Sequence, residues 1–378
     1  MKYLDEFRDN GAAARLSRAI RSEVRPGRRY NVMEFCGGHT HAIFRYGLMD
    51  LLPDAIRLIH GPGCPVCVLP VSRLDMAIRL ARDGGVILCS YGDMLRVPGS
   101  GRESLSRAMS AGADVRVVYS VMDALSISAR HPDRDVVFLA IGFEATAPAT
   151  ALAVARAKAD GRRNFAVLCN HMLTLSAVQS ILESSRVREM GSVPIDAFVG
   201  PGHVSAVIGT KPFEFFCEEY QKPVVVAGFE PLDILAAILA LVRLINAGRF
   251  EVANEYPRAV TREGNRPAQG LIASVFELRR AFEWRSLGEI PYSGLRLRSG
   301  YADFDAERRY GLKAFPAPDP EGCLCGAVLR GVKLPTDCRL FGKACTPEEP
   351  IGACMVSAEG TCAAYFRYRP HEDTALGA

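Results

Sequence analysis

The sequence predicts an α/β fold with two similar parallel-sheet domains and a smaller, loop-rich domain at the C-terminus. Between residues 30 and 250, short β-branched runs alternate with helical patterns. Runs that are apolar throughout are typical of parallel strands, because helices cover such a sheet on both faces. After Gly248, Pro, Gly and Arg become frequent and apolar periodicity weakens. Such a segment has too little apolar sequence for a large core, so a bound metal cluster would supply stability that its side chains lack.

Eight strands are predicted in the α/β part, four on each side of residue 122. They are Tyr30–Phe35, Ile56–Ile59, Val86–Cys89, Val115–Tyr119, Val136–Ile141, Phe165–Leu168, Ala197–Val199 and Val224–Ala227. The helices predicted between them include Ser72–Arg82, Ala149–Ala159, Thr174–Arg186 and Leu232–Asn246. This pattern predicts three domains, at residues 1–122, 123–249 and 250–378.

A short internal similarity supports two related halves. Gly61-Pro62-Gly63 and Gly200-Pro201-Gly202 would each follow a strand and form a tight turn. The turns would leave Cys64 and His203 near the start of the next element. A three-residue match also arises by chance, so the similarity reflects either a true structural repeat or coincidence.

Composition and charge indicate an ordinary globular protein. The net charge is only +4 and Arg residues are spread along the chain, so no nucleic-acid-binding surface is expected. The most apolar run, Ile234–Val242, is about half the length of a membrane span, so we expect a buried helix and no membrane association. Met1–Asp9 is charged and no apolar stretch follows it. We therefore expect no signal peptide and a cytoplasmic location, where thiols stay reduced.

Residues suited to chemistry follow nearly every predicted strand. Parallel α/β domains bind ligands at the C-terminal ends of their strands, so these segments are expected to meet in a cleft lined by Cys, His and Glu. The segments are Cys36–His41, Gly61–Cys67, Gly142–Thr146, Asn170–His171, Gly202–His203 and Gly228–Glu230.

The Cys64-Pro-Val-Cys67 segment has the spacing of a thioredoxin-type redox pair, and a helix that begins there would lower a thiol pKa. The same spacing suits iron ligands, half of a zinc site or an inert turn, although no second ligand pair for zinc lies near in sequence. Cys36 precedes two glycines, and nearby backbone amides would favour its thiolate. Three other cysteines lie in strand or helix patterns and are predicted to be core residues: Cys89, Cys169 and Cys217. No role is assigned to His60 or His131.

Six of the twelve cysteines lie within forty residues of the C-terminal segment. They are Cys323, Cys325, Cys338, Cys345, Cys354 and Cys362. Thiolates crowded in a loop-rich segment hold a soft metal or a metal–sulfur cluster, or form disulfides. The spacing matches no common ferredoxin, radical-enzyme or zinc-ribbon pattern. The simplest division of the six cysteines is four ligands for a four-iron cluster and two spare thiols. The spacing alone leaves fifteen ways to choose the four ligands.

Four motifs together resemble the HypD family of hydrogenase maturation factors. They are Cys36-Gly-Gly-His-Thr-His41, Gly61-Pro-Gly-Cys-Pro-Val-Cys67, Gly200-Pro-Gly-His-Val-Ser205 and the tail from Cys345-Thr-Pro to Cys354-Met-Val-Ser-Ala-Glu-Gly-Thr-Cys362. The resemblance covers essentially the whole chain in the right order. One departure is at Ala145, where the family usually has Thr in a Gly-Phe-Glu-Thr-Thr segment. Glu144 and Thr146 are retained.

The resemblance implies a cytoplasmic scaffold on which the iron of [NiFe]-hydrogenase receives two cyanides and one carbon monoxide. It implies the small chaperone HypC and the cyanide donor HypE as partners. It also implies two α/β domains related by a pseudo-twofold and a third domain that carries a [4Fe-4S] cluster. The implied cluster ligands are Cys323, Cys338, Cys345 and Cys362.

The remaining thiols receive roles from the same resemblance. Cys325 and Cys354 are the implied spare redox pair, similar to the arrangement in ferredoxin:thioredoxin reductase. The iron under assembly is attributed to Cys36, with Cys64 and Cys67 nearby. The groups expected around it are His39, His41, Glu144 and His203.

Two alternatives remain: a stand-alone, cluster-dependent protein disulfide oxidoreductase, and a metal-stabilised interaction module. The Cys36 motif favours the scaffold, because a disulfide reductase has no use for a third thiol and two histidines in its cleft. Electron relay between the thiol pairs requires the third domain to pack near Gly61–Cys67. Ser357 resembles a helix N-cap that would place Cys362 in the first turns of a terminal helix, near Tyr365 and Phe366.

Overall fold

The computed structural model describes residues 5–189, 191 and 193–369. The predicted charged start at Met1–Asp9 and the end of the predicted third domain lie partly outside this range. In the described part of the chain, every helix is too short or too polar to cross a membrane.

Strands in the described residues are numbered in chain order. They are β1 Tyr30–Glu34, β2 Ile56–His60, β3 Ile87–Ser90, β4 Val115–Val117, β5 Val136–Gly142, β6 Phe165–His171, β7 Ala197–Pro201, β8 Val224–Ala227, β9 Val252–Asn254, β10 Phe276–Leu278, β11 Ala281–Trp284, β12 Gly288–Pro291 and β13 Leu295–Leu297. The eight strands predicted from the sequence are all present.

The α-helices include the four predicted ones, with ends that differ by a few residues. They are α1 Asn10–Glu23, α2 Gly37–Arg45, α3 Leu48–Leu51, α4 Pro65–Val68, α5 Val71–Asp83, α6 Leu105–Ser110, α7 Val121–Arg130, α8 Ala147–Ala159, α9 Thr174–Glu183, α10 Ser185–Glu189, α11 Gly202–Ile208, α12 Glu214–Tyr220, α13 Pro231–Ala247, α14 Arg266–Val275, α15 Ala306–Arg309, α16 Cys325–Leu329 and α17 Thr361–Tyr368. Short 3-10 turns occupy Asp5–Phe7, Gly92–Arg96, Ser100–Arg102, Lys211–Phe213, Ser299–Phe304, Pro335–Asp337 and Ala353–Met355.

Two parallel sheets form the α/β part, which confirms the predicted fold class. The first sheet has the strand order β2-β1-β7-β8-β9, and the second has the order β4-β3-β5-β6. Every neighbouring pair in both sheets is parallel. The cysteine-rich C-terminal region carries instead two small antiparallel pairs, β10-β13 and β11-β12.

The predicted grouping of four strands on each side of residue 122 is wrong. The first sheet combines the first two strands with β7, β8 and β9, and the second sheet contains the four strands in between. Apolar periodicity identifies a strand but carries no information about its partner. The chain leaves the first sheet after β2, builds the whole second sheet and then returns, so residue 122 does not separate the sheets.

This interleaving places the two Gly-Pro-Gly segments on either side of one strand. β2 and β7 both pair with β1, with Met33 opposite Ile59 on one side and Phe198 on the other. The tight turn predicted at Gly200-Pro201-Gly202 is wrong, because Gly200 and Pro201 pair with β8 as the end of β7 and α11 begins directly at Gly202. The loop that follows β1 therefore lies between the Gly61–Gly63 turn and the start of α11.

The central strand β1 is buried on both faces. Tyr30 and Val32 point into the core covered by α1 and α13, whereas Met33 and Phe35 point into a second core. This second core is shared with the second sheet and with the cysteine-rich region. Alternate side chains of one strand therefore join the first sheet to the rest of the molecule.

The terminal helix α17 is present with Cys362 at its second position, but its predicted cap is wrong. The N-cap residue is Gly360, and the Ser357 hydroxyl accepts a hydrogen bond from the Glu359 N–H in the preceding turn. A Cβ atom at Gly360 would lie 2.2 Å from the carbonyl oxygen of Cys354. The chain must therefore turn through a glycine against the Cys354 segment before the helix begins.

The close approach of the Gly-Pro-Gly turn to β1 makes a stability prediction. A Cβ at Gly63 would lie 2.2 Å from the backbone nitrogen of Cys36, so Gly63→Ala must displace backbone. We expect the free energy of unfolding to fall by about 2 kcal/mol or more, as overpacking does. Gly270→Ala in α14 is the control, because nothing lies within 4 Å of its added Cβ. Urea unfolding followed by circular dichroism measures both, and equal stability of the two variants would contradict this packing.

Candidate metal centres

The first centre is the Cys36 thiol, which lies where β1 ends and α2 begins. Cys36 is the N-cap residue of α2, its side chain makes no capping hydrogen bond, and the backbone N–H groups of His39 and Gly38 act only to lower the pKa of its thiol. The His203 ring faces the same sulfur, with Nδ1 3.7 Å and Nε2 3.9 Å from Sγ. The Cys36 sulfur thus lies at a helix N-terminus and contacts an imidazole.

The walls around Cys36 come from three parts of the chain. The Gly37 N–H donates to the Gly63 carbonyl over 2.8 Å, which joins the Cys36 loop to the turn after β2. The Phe229 ring, after β8, stacks on His203 with centroids 5.3 Å apart. From the C-terminal region, the Glu359 side chain packs against Gly37. A Cβ added to Gly37 would lie 2.6 Å from the Cβ of Glu359. The strand-end segments of the first sheet therefore converge as predicted.

Burial keeps both partners of this centre uncharged near neutral pH. Desolvation raises the pKa of the Cys36 thiol well above its usual range, and the carboxylates of Glu359 and Glu34 raise it further. Desolvation lowers the pKa of His203 to about 4, and the neighbouring His39 lowers it too. The expectation that backbone amides make Cys36 a thiolate is therefore wrong, because burial raises the pKa of this thiol more than the backbone amides of His39 and Gly38 lower it. A metal that binds this sulfur has to displace its proton.

A buried carboxylate that the sequence analysis missed holds the Cys36 backbone in place. Glu34 accepts a hydrogen bond from the Cys36 N–H over 2.8 Å and another from the Thr40 hydroxyl. His60, to which no role was assigned, lies with Nδ1 2.7 Å from the same carboxylate. Glu34 is fully buried. The feature of the sequence that could have identified Glu34 is an acidic residue at the end of a predicted buried strand.

His39 and His41 fix the surroundings of Cys36 through backbone contacts. His39 is fully buried, and its Nε2 donates to the Gly228 carbonyl over 3.0 Å. His41 Nδ1 lies 3.1 Å from the Ala358 carbonyl. One histidine thus ties α2 to the loop after β8, and the other ties it to the C-terminal region.

Cys64 and Cys67 form a disulfide across α4, with their Cα atoms 5.3 Å apart. Cys64 is the N-cap residue of this short helix and directly follows Gly63, whose carbonyl binds the Cys36 loop. Both sulfur-bearing residues are buried, with 2% and 0% of their surface exposed. The Cys-x-x-Cys segment is therefore next to the Cys36 loop and shielded from solvent.

Glu144 belongs to a separate group at the end of the second sheet. Its carboxylate accepts hydrogen bonds from the N–H and hydroxyl of Thr174, at the start of α9. Burial raises its pKa to about 7. Nearby, His171 contacts the Thr150 and Thr146 hydroxyls at 2.9 Å and 3.4 Å. The contacts of Glu144 are thus those of a helix-capping group at the start of α9.

The second centre is a cavity in the cysteine-rich region. Its apolar wall is Leu324, Val328, Leu340, Phe341 and Met355, and its thiols are Cys323, Cys325, Cys338, Cys345 and Cys362. The sulfur atoms of Cys323 and Cys325 are 3.2 Å apart. Cys354 is fully buried and hydrogen-bonded to Cys325. The structure thus brings all six C-terminal cysteines together.

The donor set of this cavity fits an iron–sulfur cluster. In the residues that the structure describes, no three Cys, His, Asp or Glu side chains converge on a single metal-ion position. A cubane needs a different arrangement, because each of its thiolate ligands binds a different iron. Thiols spread around an apolar cavity meet that need, and all four implied ligands line it. The sulfur–sulfur contact with Cys325 lowers the pKa of Cys323.

The two centres are joined by direct packing. The helix α4, which carries Cys67, packs against the turn Ala353–Met355, which carries Cys354. The helix α17, which carries Cys362, packs against α2. The requirement that the C-terminal region pack near Gly61–Cys67 is therefore met.

A further residue that the sequence analysis missed, Arg285, lies at this junction. Its backbone N–H donates to the Val68 carbonyl and its Nε donates to the Leu69 carbonyl, both over 2.8 Å. Arg285 lies in a segment rich in Gly and Arg, so nothing in the sequence distinguishes it from the exposed arginines nearby.

Comparison with known proteins gives full-length similarity. The HypD family model, described as "Hydrogenase formation hypA family", matches residues 11–369. The chain is 61% identical over 376 residues to the hydrogenase maturation factor HypD of Cupriavidus necator, covering 100% of this chain and 99% of that protein. It is 59% identical to HypD of Rhizobium leguminosarum over 368 residues, covering 97% and 96%. It is 44% identical to HypD of Escherichia coli over 380 residues, covering 99% and 100%.

Proposed function

The chain belongs to the HypD family of hydrogenase maturation factors, and we propose that it is the scaffold on which the Fe(CN)2CO centre of [NiFe]-hydrogenase is assembled. The observation that carries this proposal is the Cys36 site. A buried thiol lies between the Gly61–Gly63 turn and the start of α11, faces an uncharged imidazole and adjoins a disulfide. Low-spin iron that carries cyanide and carbonyl is well held by soft thiolate ligands.

Cys36 is the proposed principal ligand of the iron under assembly, and Cys64 and Cys67 are candidates for further ligation once reduced. Iron displaces the Cys36 proton, which leaves to solvent, because the His203 ring beside the sulfur has a pKa of about 4 and stays uncharged. Glu34 orients the Cys36 backbone through its N–H. The Phe229 ring excludes water on one side of the site.

Electrons are proposed to reach this site by thiol–disulfide exchange. Cys354 attacks one sulfur of the Cys64–Cys67 disulfide, and the displaced sulfur takes up a proton. Cys325 then attacks Cys354, which leaves Cys64 and Cys67 as a dithiol and Cys325 and Cys354 as a disulfide. One dithiol is oxidised and one disulfide is reduced, so two electrons move to the Cys36 site. Support comes from the packing of α4 against Ala353–Met355.

A [4Fe-4S] cluster is the proposed resident cofactor of the C-terminal cavity, where it supplies single electrons. Its proposed ligands are Cys323, Cys338, Cys345 and Cys362. This choice leaves Cys325 and Cys354, which hydrogen-bond to each other, as the exchanging pair. HypC and HypE are the proposed partners in a cytoplasmic complex, and the contacts of His39, His41 and Glu144 support positioning roles for these three residues.

The alternative, a stand-alone protein disulfide oxidoreductase, is disfavoured by burial. An enzyme of that class must present a sulfur to the disulfide of another protein. Cys64 and Cys67 expose 2% and 0% of their surface, and Cys354 exposes 0%. Exchange within the chain needs no such exposure.

The role of Cys36 makes a spectroscopic prediction. We expect Cys36→Ala, purified anaerobically with its partners, to lose the cyanide and carbonyl infrared bands and one iron per chain, because the principal thiolate is absent. Its iron–sulfur absorbance should be unchanged. Cys89→Ala, which removes an equally buried thiol from the second sheet, is the control and should keep the bands. Unchanged bands in Cys36→Ala would remove this thiol from the mechanism.

The cluster ligands make a second prediction. Cys345→Ala should lose the brown absorbance, most of the bound iron and sulfide, and stability of the C-terminal region, because three thiolates hold a cubane weakly. Cys217→Ala removes a thiol outside the cavity and should keep the cluster. Iron and sulfide analysis with visible absorbance measures both variants. Stoichiometric zinc without iron or sulfide in the unmodified protein would refute the cluster.

A further inference from the structure

Phe229 is a part of the Cys36 site that separates the thiol from solvent. Only 1% of the Cys36 surface is exposed, whereas Phe229 is half-buried. A Cβ added to Gly38 would lie 2.9 Å from the Phe229 ring and 3.7 Å from the Cys36 sulfur, so ring and sulfur lie against the same glycine. The ring also stacks on His203, the imidazole that faces this sulfur. A reagent that approaches Cys36 from this side must therefore pass Phe229.

The position of Phe229 in the chain allows its ring to move without unfolding a helix or a strand. Phe229 lies in the short connection between β8 and α13. The hydrogen bond from His39 to the Gly228 carbonyl, 3.0 Å long, ties the start of this connection to α2. The other ring over the sulfur, His203, belongs to α11 and is held by that helix. Side chains that are partly exposed change rotamer quickly, so Phe229 is the wall of the site that can open.

Two residues of the N-terminal segment, Phe7 and Arg8, hold this connection from the outside. The Arg8 guanidinium binds both carboxylate oxygens of Glu230, the residue after Phe229, with Nη2 3.0 Å from Oε1. The Phe7 ring lies against the Arg258 guanidinium, whose central carbon is 4.0 Å from the ring centroid. A segment outside both sheets therefore contacts the connection beside Phe229 and a cation next to it.

Arg258 joins the Phe7 contact to the Phe229 ring. Its guanidinium lies 4.4 Å from the Tyr256 ring centroid, and it forms an ion pair with Asp233 in the first turn of α13. Tyr256 packs edge-on against Phe229, with ring centroids 6.2 Å apart. A guanidinium between two aromatic rings is attracted to both faces. A continuous series of contacts thus runs from the N-terminal segment to the ring that covers Cys36.

The N-terminal segment is held weakly, which suits a contact that forms and breaks. The 3-10 turn Asp5–Phe7 contains no buried residue. In the pair with Glu230, the Arg8 side chain is 42% exposed and the Glu230 side chain is 15% exposed. Ion pairs at such exposure contribute little stability and are screened by salt. Segments with few buried contacts open locally at a small cost in free energy.

We propose that Phe229 is a gate over Cys36 and that Phe7 and Arg8 form a latch that holds the gate closed. When the pair between Arg8 and Glu230 breaks, the connection after β8 is released and the Phe229 ring swings away from Gly38. The thiol then becomes accessible from solvent. That iron enters by this route rests on the proposed function, whereas the gate itself requires only the thiol.

The first test measures how fast iodoacetamide alkylates Cys36 in the full-length protein, by mass spectrometry of the Cys36 peptide. Cys89, which is fully buried in the second sheet, reports unfolding of the whole molecule in the same sample. Phe229→Ala should raise the Cys36 rate about tenfold or more, because the cover is lost, while the Cys89 rate stays unchanged. An unchanged Cys36 rate in Phe229→Ala would overturn the gate.

The second test addresses the latch with a matched pair of variants. Arg8→Gln should raise the Cys36 alkylation rate about threefold, as expected for the loss of a partly exposed ion pair. Arg262→Gln is the control, because Arg262 also binds both carboxylate oxygens of one glutamate, Glu214, in another exposed pair. Its Cys36 rate should equal that of the unmodified protein. Equal rates in the two variants would overturn the latch.

A third measurement uses the unmodified sequence, in case Phe229→Ala does not fold. About 1 M salt, which shortens the Debye length to about 3 Å, should raise the Cys36 rate to that of Arg8→Gln and leave Arg8→Gln itself unchanged. The same salt response in both proteins, or none in either, would overturn the inference. These outcomes concern thiol access alone and leave the proposed function intact. A chain that binds no iron at Cys36 would instead refute the proposed function and leave the gate standing.

Discussion

The packing of α4 against the turn Ala353–Met355 is the contact on which both cysteine centres depend. It places the Cys64–Cys67 disulfide between the Cys36 loop and the C-terminal cavity, in one continuous apolar core. Glycines make this possible, because Gly63 and Gly360 lie where a Cβ would meet backbone at 2.2 Å. Thiol exchange needs contact between sulfur atoms, so this packing is the physical condition for the electron transfer that we propose.

The two centres differ in their electrostatics, and the difference suits different chemistry. At the first, burial raises the pKa of the Cys36 thiol and lowers that of His203, so neither of these two groups carries a charge that must be solvated. In the proposed function, metal binding creates the thiolate. At the second, the contact with Cys325 lowers the pKa of Cys323, and the thiols surround an apolar cavity. The proposed assembly site thus adjoins the proposed cluster site.

Much of this was predictable from local sequence, and the rest depended on tertiary pairing. Continuous apolar runs identified all eight strands, and the segments after them identified Cys36, Cys64 and His203 as neighbours. The pairing of β1 with β7 could not be predicted from the sequence. Apolar periodicity indicates which residues are buried, but it does not indicate which strand lies beside them. Arg285 was missed for a related reason: its partners Val68 and Leu69 are distant in sequence, Leu69 by 216 residues. The prediction of a thiolate at Cys36 was wrong because it considered the local backbone amides and not the burial of the sulfur, which raises the pKa of the thiol.

The central claim is that the two thiol pairs exchange directly within one chain, and trapping the mixed disulfide tests it. Cys64→Ala combined with Cys325→Ala leaves Cys67 and Cys354 without their usual partners on the two packed segments. After mild oxidation and digestion, mass spectrometry should find a Cys67–Cys354 linked peptide at a yield independent of protein concentration. The single variants should form less of it, because each retains one native pair. A link only between chains, a link from Cys67 to Cys36, or none at all would contradict the account.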